Sequence, residues 1–291
     1  MTKKDQLFPY LILIPALTIM GTVLVYPLIN GIVLAFTDYT MFNPSYKLVG
    51  FKNIVSNFQS KVFWEIFSNS IIIVFSSVII QLLLGLSVAL LLFKKIFLRN
   101  FFRSAVFLIW ILPEMVVALL WMIMYNSDFG ILNFVLKQFG IISENIIWLN
   151  DPIWSRIALI LVYGWRGTPF HMVLILAALQ TIPKEIIESS KIDGAGNFKR
   201  FIHITIPYIK HIILLAFLLS VVRAFQDITQ IFVLTNGGPI YSTTTLAIEV
   251  YKQAFTSFQL GKAASIGITW MLFLIILSIF YIRLITREES R

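Results

Sequence analysis

The chain has 291 residues, 58% of them apolar and 13% charged, with a formal net charge of +9 and no cysteine. Soluble domains carry about 25% charged residues, so this composition excludes a water-soluble globular protein, and the missing cysteines exclude disulfides, thiolate metal sites and thiol chemistry. In a chain with mean hydropathy +0.88, positive charge sets membrane orientation and does not point to nucleic acid.

The apolar runs do not alternate with period two, which favours helices over barrel strands, and 26 phenylalanines suit lipid-facing surfaces. The first run, Tyr10–Phe36, is longer than a signal-peptide core and ends at no small-residue cleavage site, so it is read as a retained span. Further spans are expected at Ile66–Phe93, Ser104–Tyr125, Ile153–Leu179, Ile209–Leu234 and Ala263–Leu284. Each is long enough for a hydrocarbon core of roughly 30 Å at about 1.5 Å per residue. The expected fold is all-α: one transmembrane domain over 1–291 with six spanning helices in a lipid bilayer. No Gly/Ser linker or low-complexity tail marks a second domain.

Lysine and arginine fix the orientation. Lys3, Lys4, Lys94, Lys95, Arg99, Arg103, Lys184, Lys191, Lys199, Arg200, Lys210, Arg283, Arg287 and Arg291 fall on one side of these spans. Lys47, Lys52, Lys61, Lys137, Lys252 and Lys262 fall on the other. The richer side is expected to be cytoplasmic, with both termini inside. Trp64, Trp148 and Trp154 lie near the outer boundaries, where an indole suits the interface.

A charged island, residues 180–207, separates the fourth and fifth spans on the cytoplasmic side. Pro183 suits a helix start, and Glu185 and Glu188 complement its positive end. Gly194 and Gly196 break the helix into a turn, and a second amphipathic stretch, Phe198–Ile206, leads to Pro207 at the next span. A helix, a glycine turn and a second short helix along the membrane face are expected. From the residues alone, an ordinary amphipathic loop on lipid headgroups accounts for the island equally well.

The island reads Glu188-Ser-Ser, Lys-Ile-Asp193, Gly194-Ala195, Phe201, Ile204, Pro207, after Leu179-Gln-Thr-Ile-Pro183-Lys-Glu185. It resembles the signature loop of binding-protein-dependent ABC importer permeases, Glu-Ala-Ala, three residues, Gly, then Ile-x-Leu-Pro. Ser189 and Ser190 replace the alanines of that pattern and remain small. Downstream, Thr235-Asn-Gly-Gly-Pro239, Thr243-Thr-Thr-Leu-Ala, Tyr251, Ala254-Phe255 and Gly261-Lys-Ala-Ala resemble the carbohydrate branch, the maltose and sn-glycerol-3-phosphate type. Leu13-Ile-Pro15-Ala, Tyr26-Pro27 and Ala35-Phe-Thr-Asp38-Tyr match the same branch, in its six-span, first-permease form. The first outer loop, Thr37 to about Glu65, is too short for the inserted outer domain of some maltose-type relatives.

The resemblance implies the ABC type I importer architecture in a bacterial or archaeal cytoplasmic membrane. It also implies partners: a second homologous permease, two ATPase subunits, identical or related, and an extracytoplasmic solute-binding protein. No Gly-x-x-x-x-Gly-Lys-Ser/Thr phosphate loop occurs in the chain, so ATP and Mg²⁺ belong on the ATPases, and no cofactor is expected here. Glu188, Ser189, Ser190, Asp193, Gly194 and Ala195 become the candidate coupling segment, seated in an ATPase cleft.

Polar groups inside spans are costly and usually face an interior path. The fourth span carries Tyr163-Gly-Trp165-Arg166-Gly167-Thr168-Pro169-Phe170-His171. Tyr163, Trp165 and Phe170 offer aromatic faces for sugar C–H groups, Gly167 gives room, and Arg166 lies among them. From the residues alone, a proline-kinked span whose aromatics pack on its neighbours is the simpler reading. The resemblance instead places sugar-contacting positions in this segment. On the fifth span Ser220, Arg223, Asp227 and Gln230 fall on one stripe, with Gln226 beside it.

Arg223 and Asp227 are expected to pair at i,i+4, in the cavity or as a structural pair between permeases. The resemblance puts sugar contacts near Ser220, Ala224 and Asp227, and alanine at 224 removes one polar contact. Glu114, after Pro113, is expected to pair with Arg166 or Arg223 and not to relay protons. His171, His203 and His211 lack metal-ligand spacing, and no catalytic constellation is present.

The expected function is a permease subunit of an ATP-driven importer of a sugar or oligosaccharide. The alternatives are a permease for an acidic sugar or glycerophosphodiester, and a stand-alone secondary transporter. The last would show a pseudo-repeat with broken helices or a midplane ion site.

Overall fold

The computed structural model describes residues 3–43, 45–94 and 96–289. Lys95 and Arg291 of the charge comparison lie outside the described residues, as do the side chains of Lys3, Lys4, Arg287 and Leu284. In chain order, α1 (Lys3–Met20) continues through a π-turn at Gly21–Val25 into α2 (Tyr26–Ala35). Then come α3 (Lys52–Gln59), α4 (Lys61–Phe93), α5 (Arg99–Ile111), α6 (Glu114–Met124), α7 (Ile131–Gln138), α8 (Pro152–Gln180) and α9 (Lys184–Ile192). α10 (Asn197–Arg200) runs through a second π-turn, Phe201–Thr205, into α11 (Ile206–Gln226). α12 (Thr229–Leu234) and α13 (Leu246–Tyr251) follow, then a π-turn at Lys252–Thr256 and α14 (Leu260–Glu289). Among the described residues the only β-pairing is two isolated bridges, Thr37–Leu48 and Thr40–Asn43.

Among the described residues, five helices are long and apolar enough to cross a membrane: Ile12–Ala35, Lys61–Phe93, Pro152–Gln180, Asn197–Gln226 and Leu260–Arg283. The third expected span is not one helix. It is α5 and α6, bent by 99° at the break between them. Leu112 and Pro113 are extended, with ψ of 135° and 138°. Proline has no N–H for a preceding turn and pushes the residue before it out of helical geometry.

The fifth expected span, Ile209–Leu234, also divides. α11 ends at Gln226 because Asp227 is extended, with ψ of 123°. The Asp227 carboxylate accepts the Thr229 N–H at 2.9 Å, a local bond that competes with the helix ladder. At its other end the fifth span starts earlier than expected. The stretch Phe198–Ile206 is continuous with the span, not a separate surface helix. The Ile206 N–H donates to the Phe201 carbonyl, one residue wider than an α-turn, directly before Pro207. The Tyr26 N–H donates likewise to Gly21, before Pro27. A widened turn gives room for a proline ring that an α-turn would meet head-on.

The chain divides into two compact units, Met1–Phe63 with Glu249–Phe273, and Trp64–Ile248 with Leu274–Arg291. In the first, the outer loop is tied to the segment before the last span. The Gly261 N–H donates to Tyr39 O and the Met41 N–H to Phe258 O, each at 3.0 Å. Gly261 lies so close to the Thr37 carbonyl that a Cβ would overlap it. The Asn57 amide donates to Ser265 Oγ at 2.9 Å.

The second unit is packed around α8. Gly164 and Gly167 of α8 lie against Ile80 and Gln81 of α4, and Gly85 of α4 lies against His171 of α8. Small residues on both helices let the backbones approach closely, as membrane helices require. One apolar cluster gathers Tyr125, Trp148, Leu159, Val162 and Ile231, and another Leu92, Ile175, Leu176, Leu179 and Ile209. Trp148 is therefore a core residue and not an interface anchor. Its indole N–H donates to Asn133 Oδ1 at 3.0 Å, which satisfies the buried donor. Trp64 and Trp154 remain partly exposed.

The Thr235–Pro239 motif folds into a hydrogen-bonded knot. The Thr243 hydroxyl donates to Gly238 O and that of Thr244 to Gly237 O, both at 2.7 Å. The Asn69 amide donates to Tyr241 O at 2.6 Å, and the Arg156 Nε–H to Ser242 O at 2.8 Å. The motif thus fastens a loop between α4 and α8.

Candidate functional site

A cavity of about 270 Å³ opens beside the middle of α8. The α8 residues Tyr163, Arg166, Gly167 and Phe170 line it at steps of three and four, which place them on one helical face. Ser220, Arg223 and Ala224 enter from α11, Asp227 from the junction and Gln230 from α12. Gln81 of α4 and Trp110 of α5 complete the wall. Trp110 and Phe170 pack with ring centroids 6.3 Å apart.

Of the substrate-contacting residues expected in the spans, Tyr163, Arg166, Gly167, Phe170, Ser220, Arg223 and Asp227 meet here. Trp165 does not line the cavity. It faces Trp121 edge-on at 5.6 Å, in a separate apolar hollow with Val117 and Leu120. Gln226 is exposed at the end of α11 and is also absent from the wall.

The expected Arg223–Asp227 pair does not form. Its i,i+4 spacing holds only in a continuous helix, and α11 stops before Asp227. Both arginines turn to Glu114, the first residue of α6. Arg166 reaches its carboxylate at 2.8 Å and Arg223 at 3.6 Å. The bend at Pro113 places Glu114 within reach of both, at a helix N-terminus that favours a carboxylate.

Several buried polar groups have no protein partner: the Tyr163 hydroxyl, Arg166 Nε, and both Nε2 and Oε1 of Gln230. Gln230 is fully buried and Tyr163 nearly so. A buried amide or hydroxyl without a partner is costly and needs an explanation. Gln81 donates to Tyr163 O at 3.1 Å. Buried His171 lies 3.4 Å from both Gly167 O and the Ser220 hydroxyl. Gln81 was discoverable as a lone amide in an apolar run; Trp110 carries no comparable signal.

The candidate coupling segment is a helix end and a turn. Glu188 and Ser189 are exposed on α9, Ser190 is buried, and its hydroxyl donates to Ile187 O at 2.7 Å. Asp193 caps the helix, with Gly194 at φ +74°. The Ala195 N–H donates to Ser190 O at 2.9 Å and the Gly194 N–H to Lys191 O at 3.1 Å. This is the paired 6→1 and 5→2 closure that a left-handed glycine permits. Ile192 and Phe198 stand 87% and 76% exposed on either side of the turn.

Long apolar helices, together with the bent pair α5 and α6, define a multi-pass α-helical membrane protein, with a polar cavity inside its second unit. The chain belongs to the family described as the binding-protein-dependent transport system inner membrane component, matched over residues 81–288. It is 30% identical to a probable ABC transporter permease protein of Bacillus subtilis, over 97% of each chain. It is 31% identical to the trehalose/maltose transport system permease protein of Thermococcus litoralis, over 94% of this chain and 92% of that one. Its fold matches a crystal structure of a bacterial ABC transporter involved in the import of alginate, with TM-score 0.79 and 21% identity. That match covers 98% of this chain and 96% of the other. The architecture is that of an ABC type I importer permease.

Proposed function

We propose that this chain is one of two permease subunits of an ATP-driven importer of a sugar or oligosaccharide, and that the cavity beside α8 lies on the cargo's path. The observation that carries this reading is the cavity wall itself. Trp110 and Phe170 give it aromatic surface, while Tyr163 Oη and the Gln230 amide bring buried, unpartnered polar atoms. Aromatic surface with a few placed donors and acceptors suits a polyhydroxylated ring. At about 270 Å³ the volume is near the lower end of small-molecule sites, about 300 Å³ upward. The naming of the Thermococcus litoralis relative for trehalose and maltose supports a carbohydrate cargo.

In this reading a second homologous permease completes the path, and a solute-binding protein delivers cargo from outside. Two ATPase subunits bind ATP and Mg²⁺ on the cytoplasmic side, where both termini of this chain also lie. The segment Glu188–Ala195 seats in an ATPase cleft. Glu188 and Asp193 meet polar groups there, and Ile192 supplies apolar contact. ATP binding closes the ATPases and shifts the permease pair between inward-open and outward-open states. The nucleotide acts through its different affinity for the two.

The test is reconstitution of the permease with its partner subunits in proteoliposomes. Oligosaccharide-stimulated ATP hydrolysis and ATP-dependent uptake are expected. Uptake that persists without ATP would instead identify a secondary transporter.

A further inference from the structure

Two arginines, Arg166 and Arg223, and two carboxylates, Glu114 and Asp227, carry the charge around the cavity, but they do not pair one to one. Two guanidinium groups share one carboxylate, that of Glu114. Arg166 is the closer partner, with a side chain only 11% exposed and a contact of 2.8 Å. Arg223 stands 59% exposed and 3.6 Å away. Glu114 stands behind the wall, and the carboxylate that lines it is Asp227, which accepts a backbone N–H from Thr229; no ion pair among the described residues joins it to Arg223. A guanidinium loosely held at membrane depth is costly and marks a functional partner. Its planar fork matches a carboxylate with two parallel hydrogen bonds.

We infer that Arg223 is the specificity-determining residue of this cavity and takes an anionic group of the cargo, a carboxylate such as that of a uronic acid sugar. Glu114 is then the resting counter-ion. Arg223 leaves it for the cargo's carboxylate while Arg166 keeps it. The cargo's hydroxyls meet Tyr163 Oη and the Gln230 amide, which have no protein partner. Asp227 repels an anion and so directs the acidic group to the Arg223 side of the cavity. This inference rests on the carbohydrate-path reading given under Proposed function.

The complete transporter, with its own partner subunits, is reconstituted in proteoliposomes. Digalacturonate and trigalacturonate are compared with the neutral galactose di- and trisaccharides as stimulators of ATP hydrolysis and as uptake substrates. The uronates are expected to stimulate. Arg223→Gln should weaken that response about tenfold or more, as loss of a charge-assisted hydrogen bond implies. Arg223→Lys should retain part of it, and Asp227→Asn should strengthen it. Stimulation by neutral sugars alone, or a uronate response that Arg223→Gln leaves intact, overturns the inference but leaves the carbohydrate-path reading standing. No response to any carbohydrate overturns both. An Arg223→Gln subunit that no longer co-purifies with its permease partner also overturns it, because the arginine then serves assembly.

Discussion

Gly167 of α8 lies so close to the Gln81 side chain of α4 that a Cβ at 167 would overlap it. The same Gln81 amide donates to Tyr163 O at 3.1 Å. One glycine therefore sets both the helix spacing and the position of an amide on the cavity wall. Gly167→Ala is expected to displace Gln81 and weaken that hydrogen bond, and Gly167→Val to force α4 and α8 apart. Overpacking of this kind costs about 1–3 kcal/mol. The larger variant should melt several degrees below the parent in a thermal-shift assay of the purified transporter, with cargo-stimulated ATP hydrolysis falling in the same order.

Glu114→Gln leaves Arg166, only 11% exposed, without its carboxylate. Removing one partner of a buried pair costs about 3–5 kcal/mol, and the partial exposure of Glu114 points to the lower end. A double variant, Glu114→Gln with Arg166→Gln, should recover much of the lost stability because the buried guanidinium is then gone, while Arg223, 59% exposed, keeps its access to solvent. Thermal unfolding of the single and double variants checks this; a double variant that is less stable than Glu114→Gln would contradict the pairing.

Gly194 sits at φ +74°, where an L side chain costs about 1–2 kcal/mol. Gly194→Asp is expected to insert and assemble normally while losing cargo-stimulated ATP hydrolysis. Membrane abundance, subunit co-purification and stimulated ATPase rate, measured together, separate a coupling defect from a folding defect.

Asn133 holds the loop before α8 by donating to Ser127 O and Ile146 O and accepting from the Ile146 N–H and the Trp148 indole. Asn133→Leu strands the indole N–H in the core, and an unsatisfied buried donor costs about 1–3 kcal/mol. The expected signs are a lower melting temperature and a changed fluorescence environment for Trp148.

Run length and hydropathy make most of the spans legible, because both report the transfer of side chains into lipid. Neither reports backbone breaks. Pro113 and Asp227 sit inside apolar runs, so hydropathy reads straight through both. The proline is visible as a breaker, but nothing in the linear pattern gives the size of the bend. Asp227 ends its helix through a local bond to Thr229, which competes with a pairing to Arg223 that the spacing allows equally well. For the same reason Glu114 is legible as a partner of an arginine, but not as the partner of both. Trp165 differs from Tyr163 and Phe170 only in azimuth around α8, and two positions of rotation point it at Trp121. Trp110 reaches the cavity because α5 passes α8 there, a relation between distant segments that local pattern does not encode.

The widened turn at Phe201–Thr205 keeps α10 and α11 in one unbroken rod from Asn197 to Gln226. One end of that rod adjoins the glycine turn, and the other carries Ser220 and Arg223. At about 1.5 Å per residue the distance from Asn197 to Arg223 is about 40 Å. Pivoting such a rod about its middle by about 10° carries each end about 3 Å, in opposite directions. If the loop is pushed as proposed, a rod of this length would deliver the push to the cavity as a lever stroke.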